Sequence, residues 1–446
     1  MPESFTLIVP LAALAAAFVT WSDDSYRLEE KFSAGHQYHV STRVDLSGSL
    51  SMPAQGKDMP PQQIPVTGTA SVEYDERILD AETEAVPARK SIRVYSRLDF
   101  RRKLGEQLQE SSLRQQTRRM VIMRLDQNEV PFSPDGPLTW SEIDRVRTDV
   151  FTPALRGLFP GKPVKIGDQW PAGEAAVREL TDLDEVTGGQ LNCRFQDIYS
   201  KDGRRFARVR LSGVVYGLSE DGRNRQQLEG YYLFDLYDRF LSQVYLDGAS
   251  WLLDKDDKPA GRVDGRFTLS RKLARSPDLS DERLRGLVVE PNDDNTLLLF
   301  SEPALGVEFV YPRRWTVRRA DARQIVLDEP TGGGLAVTLE PLSQTPSGAE
   351  FLNEAQKTLA ARAVKIKKIG PVNRLSQFGA ALEQFTLEAE IDGQSWQLDY
   401  LVSKQASGGA TFMGRWPAHA DKELARDCER IARSLKLEPP KKTGTR

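Results

Sequence analysis

The chain has 446 residues, of which 61 are basic and 64 acidic, for a net charge of −3. That length exceeds one ordinary hydrophobic core and calls for two or three domains, and the near balance of charge excludes bulk electrostatic attraction to nucleic acid. Two cysteines, Cys193 and Cys428, are too few and too distant for a disulfide framework or a thiolate metal cluster.

Phe5 to Val19 form one apolar run broken only by Thr6 and Pro10. Ala15, Ala16 and Ala17 offer a small-residue cleavage site ahead of Ser22, Asp23 and Asp24, and the run is shorter than the roughly 20 apolar residues of a membrane span. Residues 1–22 therefore read as an export signal. With Glu3 and no Lys or Arg ahead of the run, an uncleaved anchor or a misplaced start codon is the alternative, and a buried N-terminal strand or helix the plainer reading. Export, to the periplasm or the extracellular space, is the expected location.

Residues 23–274 read as a β-rich domain. Ile92, Val94, Leu98 and Phe100 alternate with Arg93, Tyr95, Arg97 and Arg101, which predicts a half-buried strand with one apolar and one basic face. Further strands are expected over Phe206 to Tyr216, Gln227 to Leu236, Leu241 to Leu246 and Arg262 to Ser270, with turn pairs such as Asp202-Gly203 and Asp221-Gly222 between them, the spacing of an antiparallel meander. One helix interrupts it: Thr139 and Glu142 make a capping-box pattern ahead of Ile143, Val146 and Val150. Residues 53–65 read as a loop. Cys193, between Leu191 and Phe195, reads as a core residue of a strand.

Residues 275–295 turn polar and charged and read as a linker, with Leu284 to Val289 able to dock on a neighbour. From 296 to 437 four short strands, a helix capped by Ser347 and Glu350, two long strands meeting at Gly393, and a terminal helix carrying Cys428 are expected; 438–446 read as a frayed tail. Gly332 to Gly334 has neither the Lys-Ser/Thr nor the following helix of a phosphate loop and reads as a hairpin turn. The expected class is α+β: an N-terminal antiparallel open sheet or half-barrel with one helix, followed by a C-terminal α-β-α sandwich.

Gly306 to Trp315, with Tyr311-Pro312 and the Trp after it, and the closing segment Ile431 to Leu437 resemble the PsbP-like family over about a third of the chain. That resemblance implies the C-terminal α-β-α sandwich, used as a binding or assembly module. The first domain, through Leu113-Arg114, Ser133 to Leu138 and Lys162 to Trp170, is similar to uncharacterised exported β-rich proteins of bacteria, and its strand pattern alone to half-barrel lipoprotein carriers. Neither likeness implies an activity.

Catalytic signatures are missing. There is no Gly-x-Ser-x-Gly elbow, neither cysteine has a histidine near it in sequence, and His36 and His39 would point to opposite faces of a strand. Carboxylate pairs such as Asp182 with Asp184 read as solvated turns. No cofactor is expected. Between Arg89 and Arg124 basic residues outnumber acidic ones; Arg93, Arg97, Arg101, Arg114 and Arg118 are the candidate patch for an anionic surface such as lipid headgroups, against the plainer reading of a solvated sheet face. Tyr231, Tyr232, Phe234 and Trp251 are candidates for an apolar cavity, against the plainer reading of core. The expected function is a non-enzymatic binding or assembly protein of the cell envelope with a protein partner or anionic surface. The alternatives are a carrier of an apolar ligand such as a lipid, and an enzyme without a recognisable motif.

Overall fold

A computed structural model describes residues 24–52, 62–83, 88–125, 128–321, 323–375, 381–420 and 422–439. The expected signal or anchor, residues 53–61 of the expected loop, and the tail beyond 439 lie outside the described residues. In the first part of the chain the strands are β1 (Gln37–Met52), β2 (Gln62–Ile78), β3 (Lys90–Leu104), β4 (Gln107–Ser112), β5 (Arg119–Leu125), β6 (Asn128–Phe132), β7 (Leu138–Thr139), β8 (Gln169–Pro171), β9 (Glu185–Lys201), β10 (Arg204–Ser219), β11 (Gly222–Asp235), β12 (Phe240–Leu253) and β13 (Pro259–Leu273). Helices α1 (Trp140–Arg147) and α2 (Glu174–Thr181) and a 3-10 segment, Thr152–Leu158, interrupt them.

All of these strands but β7 form one twelve-stranded sheet in the order β6-β5-β3-β2-β1-β13-β12-β11-β10-β9-β8, with β4 paired to the far end of β3. Its neighbours are antiparallel throughout. Long strands coil only where backbones can approach. A Cβ at Gly213 or Gly230 would lie 2.0 Å from a carbonyl oxygen of the neighbouring strand, so glycine is what the curvature there allows. The sheet wraps around its own connecting segments: Leu28, Phe32, Ile143, Val146, Leu155, Leu158 and Trp170 share one cluster with the inward residues of the strands. Trp170 Nε1 (2.9 Å) and Tyr232 Oη (3.1 Å) both donate to the carbonyl of Leu158, locking the plug to the wall. Arg271, buried among Tyr38, Phe32 and Phe240, holds Glu30 through two 2.9 Å bonds and so ties residues 24–35 to the sheet.

The segment 275–295 lies against the other face of this sheet. Leu279 is buried with Ile92, Val121 and Phe132, and Leu284, Leu287 and Val289 pack beside them; α3 (Asp281–Leu284) sits within it. The Leu279 carbonyl accepts from Arg77 at 2.7 Å.

The remaining strands are β14 (Leu298–Glu302), β15 (Val307–Tyr311), β16 (Thr316–Ala320), β17 (Gln324–Asp328), β18 (Gly334–Glu340), β19 (Lys365–Ile369), β20 (Asn373–Leu375), β21 (Ala381–Ile391), β22 (Gln394–Gln405), β23 (Gly408–Pro417) and β24 (Lys436–Leu437), with helices α4 (Gly348–Ala361) and α5 (Lys422–Ser434). Eight form the sheet β16-β17-β18-β23-β22-β21-β19, with β20 on β21. The others form β24-β15-β14-β7, in which β7 from the first part pairs parallel with β14. The two parts thus share a sheet, and one hydrophobic cluster runs from Leu28 to Leu435.

The expectation of an α+β chain with a C-terminal α-β-α sandwich is corrected. Strand accounts for 55% of the structure and helix for 16%, and the architecture is mostly β. The helical spacings were real but short. α1 and α2 have eight residues each and α3 four, and the longer α4 and α5 are isolated covers on an antiparallel sheet, too few to build helical layers. The capping boxes at Thr139/Glu142 and Ser347/Glu350 form as read, and Cys193 and Cys428 are free and buried.

Candidate functional site

The site begins with a charged residue on an apolar face. Along β2, Val72, Tyr74, Glu76 and Ile78 all point inward and are buried. Opposite them on β3, a bulge at Ser96 changes the parity of the strand: Tyr74 pairs with Tyr95 but Glu73 pairs with Arg97. Before the bulge, Ser91, Arg93 and Tyr95 face inward; after it, Leu98 does. Arg93 is therefore carried into the interior, directly across from Glu76.

Neither charge reaches solvent, with side chains 1% and 0% exposed. Arg93 Nε meets Glu76 at 2.9 Å, its Nη1 meets Asp149 at 2.9 Å, and its Nη2 donates to the Val150 carbonyl at 3.1 Å. Ser91 and Thr152 hydroxyls donate to the two oxygens of Glu76, each at 2.9 Å. The guanidinium lies 4.5 Å from the centre of the Tyr74 ring. A second arginine extends the network. Arg124 of β5 bridges Glu129 of β6 (2.9 Å) and Glu179 of α2 (2.8 Å) and lies over the Phe151 ring. Glu179 also accepts the Phe151 N–H.

Arg124, Glu129, Asp149, Phe151 and Glu179 line a cavity of about 650 Å³ between β5, β6, the end of α1, the 3-10 segment and α2. Arg89, Arg147 and Arg178 also line it; Arg147 is largely exposed, 4.0 Å from Glu220. The volume is that of a small-molecule site. Its walls are charged rather than apolar. Among the described residues no donor meets one oxygen of Glu129 (Oε1) or one of Asp149 (Oδ1), and both oxygens are sealed from solvent. Burial pushes Asp149 up to about 6 and Glu179 up to about 7, each opposed by its arginine, and raises Glu129 as well. The second part of the chain reaches the same region. Arg313 donates to the carbonyls of Pro131 and Thr296, and burial, with Arg147 nearby, lowers its guanidinium to about 10. Such a cavity can hold a polar or charged group and take up or release protons near neutrality. Among the described residues no cluster of three or more His, Cys, Asp or Glu is placed to hold a metal ion; His39 instead pairs with Asp75 at 2.9 Å.

The structure separates the residues that the sequence grouped. Of the basic candidates, Arg93 is interior, whereas Arg97 and Arg101 are exposed and matched by Asp99 and Glu110, each at 2.6 Å. Arg114 is spent on Glu142, at 2.6 Å, and Arg118 is half-buried beside Leu113. They form no single basic patch, because the bulge divides the strand and acids neutralise its outer face. Of the aromatic candidates, Tyr232 and Phe234 are fully buried, with Phe234 edge-on to Phe159 at 5.3 Å. Tyr231 points the other way and stacks on Tyr245 at 5.6 Å, and Trp251 lies between Arg225 and Arg262. The four share no cavity, and the space inside the sheet beside Tyr232 and Phe234 is filled by Leu158 and Phe159. Sequence reading missed Glu76, Asp149, Glu129 and Glu179, and took Arg124 only as the end of the basic run. The one available signal was Glu76, a carboxylate in step with Val72, Tyr74 and Ile78.

No protein-family model matches the chain, and no curated protein matches it. Among solved structures, it is similar to the cyanobacterial PsbP protein CyanoP of Synechocystis, at 15% identity over 32% of this chain and 92% of that one, with a TM-score of 0.25. It is also similar to lipovitellin, at 11% identity over 56% of this chain and 26% of that one, TM-score 0.31, and to the type VI secretion immunity protein TplEi of Pseudomonas aeruginosa, at 11% identity over 48% and 74%, TM-score 0.21. At these scores none bears on what the protein does.

Proposed function

We propose that the protein is an exported binding or assembly protein of the cell envelope that engages a partner protein at the edge of its large curved sheet. One observation carries this reading: the sheet's interior is filled by the chain's own plug, while the cavity beside β5, β6 and α2 is open, charged and walled by a fixed network. A ligand for that place is polar. The space beside Tyr232 and Phe234, where the carrier of an apolar ligand would hold it, is taken by Leu158 and Phe159, which speaks against that reading. The N-terminal apolar run supports export, and among the described residues no helix is long and apolar enough to cross a membrane. The non-enzymatic reading rests on the absence from the sequence of a recognisable nucleophile with its base.

The test is photocrosslinking in the native host, with a benzophenone amino acid at position 147 on the cavity rim and, as control, at position 97 on the outer face. The expected result is a discrete adduct from position 147 in the envelope fraction. No adduct, an adduct only from cytosolic material, or turnover of an envelope polymer by the purified protein would overturn the proposal.

A further inference from the structure

We infer that the outer face of the large sheet carries a second site, a trough that binds a linear, uncharged polysaccharide chain through its hydroxyl groups. It shares no lining residue with the cavity beside α2. Strand register builds it. Asp247, Arg266, Asp45, Thr69, Arg101 and Glu110 stand side by side on β12, β13, β1, β2, β3 and β4. Two residues along the strands, on the same face, runs a second row with Asp264, Ser47, Thr67 and Lys103. The row between them, which includes Gly248, Gly265 and Gly68, turns to the other face, so the floor of the trough is backbone. Residues of both rows line a cavity of about 1010 Å³. Six strands about 4.8 Å apart make it about 24 Å long, the shape for a chain rather than a single ring.

The chemistry of the walls selects the ligand. Among the described residues four acids and three bases line the trough, and their ion-pair partners Arg43, Arg262 and Glu110 bring the count to five of each. The two signs are interspersed: Arg266 meets Asp247 at 3.1 Å, Arg43 meets Asp45 at 2.9 Å, and Arg101 meets Glu110 at 2.6 Å. A polyanion is repelled by the acids of this wall and a polycation by its bases. An apolar chain would strip water from both without replacing it. A hydroxyl both donates and accepts, so a polyol satisfies donors and acceptors set side by side. Ser47, Thr67 and Thr69 add hydroxyls of the same kind. The Tyr245 hydroxyl donates to Asp247 at 2.6 Å and, with Arg266, holds that carboxyl below its ordinary range, so it stays an acceptor. An extended peptide is the wrong shape of partner, because it joins a sheet at an open edge and the floor strands are already paired on both sides. Each contact here replaces one to water, so affinity accumulates with the number of rings bound.

Calorimetric titration of the full chain tests this with chitohexaose, cellohexaose and maltohexaose as neutral probes, heparin as the polyanion and a lysine hexapeptide as the polycation. Saturable binding of at least one neutral probe is expected, about tenfold tighter than binding of its disaccharide and changed less than about twofold between low and high salt. Thr67→Trp, which fills the trough, and Arg266→Ala, which removes part of its wall, should each weaken binding at least about fivefold. Both positions are exposed, so neither change reaches the core. Arg97→Gln, on the same face but outside the trough, should leave binding unchanged. No saturable binding of any neutral probe, affinity independent of chain length, equal affinity in the parent and both trough variants, or tighter binding of heparin or the lysine peptide overturns the inference. The adduct from position 147 reads the other cavity, so the two readings fail separately.

Discussion

Arg93 and Glu76 face each other across adjacent strands and meet at 2.9 Å with neither side chain in contact with solvent. The pair reaches the cavity through Asp149, which lines it: Arg93 also fixes Asp149 just after α1, and Asp149 leads directly to the 3-10 segment that plugs the sheet. Arg93→Met should cost about 3–5 kcal/mol, since it strands two buried carboxylates. Arg97→Gln and Arg101→Gln, on the solvated face, should each stay within about 0.5 kcal/mol. Urea unfolding of the three variants checks the contrast, and equal effects would mean that Arg93 is not the keystone described.

The bulge at Ser96 is what puts Arg93 and Arg97 on opposite faces. Deleting Ser96 should remove the bulge with Tyr74 still opposite Tyr95 and Glu73 still opposite Arg97, so each side chain keeps its face, whereas deleting Val94 should turn Arg93 or Tyr95 to the wrong side. The expected loss for the Val94 deletion is larger than that for the Ser96 deletion, several kcal/mol by comparison with stranding a buried charge. A Val94 deletion as stable as the Ser96 deletion would show that the strand's faces are set elsewhere.

Stability should depend on pH through the cavity acids. Glu179 and Asp149 titrate at about 7 and about 6 in the folded chain, against 4.5 and 3.8 ordinarily, so between about pH 4 and 7 the folded state holds more protons than the unfolded one. Their contribution is then complete at the acid end of that window and lost as pH rises through it. Glu142 works in the opposite sense. Burial pushes it up, but hydrogen bonds from Arg114, the Thr139 N–H and Thr117 outweigh that and hold it below its ordinary value, so its contribution is lost on acidification. The clean observable is a difference: melting temperature against pH for Glu179→Gln should fall less steeply between pH 5 and 7.5 than for the parent. Parallel curves would contradict the assignment.

Tyr232 and Phe234 report on the filled interior. Phe234→Ala should cost about 3–5 kcal/mol as a core truncation, and Tyr232→Phe about 1 kcal/mol for the bond to the Leu158 carbonyl. Tyr231→Phe, on the opposite face, should be close to neutral. If Phe234→Ala proved neutral, or changed the uptake of a lipid probe without changing stability, the carrier reading would regain its chamber.

Local chemistry was enough for some of this architecture. Period-two alternation marked the strands, Asp202-Gly203 turned where both residues take a positive φ, Thr139 with Glu142 and Ser347 with Glu350 capped their helices, and Cys193 and Cys428 went to the core. Each depends on residues within a few positions of one another, so each is written in the sequence itself. The class was misjudged because short helical spacings look alike whether they build a layer or a single cover. The cavity needed the tertiary structure. Arg93 reads as a solvated arginine until the Ser96 bulge turns it inward, and Glu129 and Glu179 are 50 residues apart until Arg124 joins them. Whether a charge is buried depends on what the whole chain packs against it, which alternation along one strand does not specify.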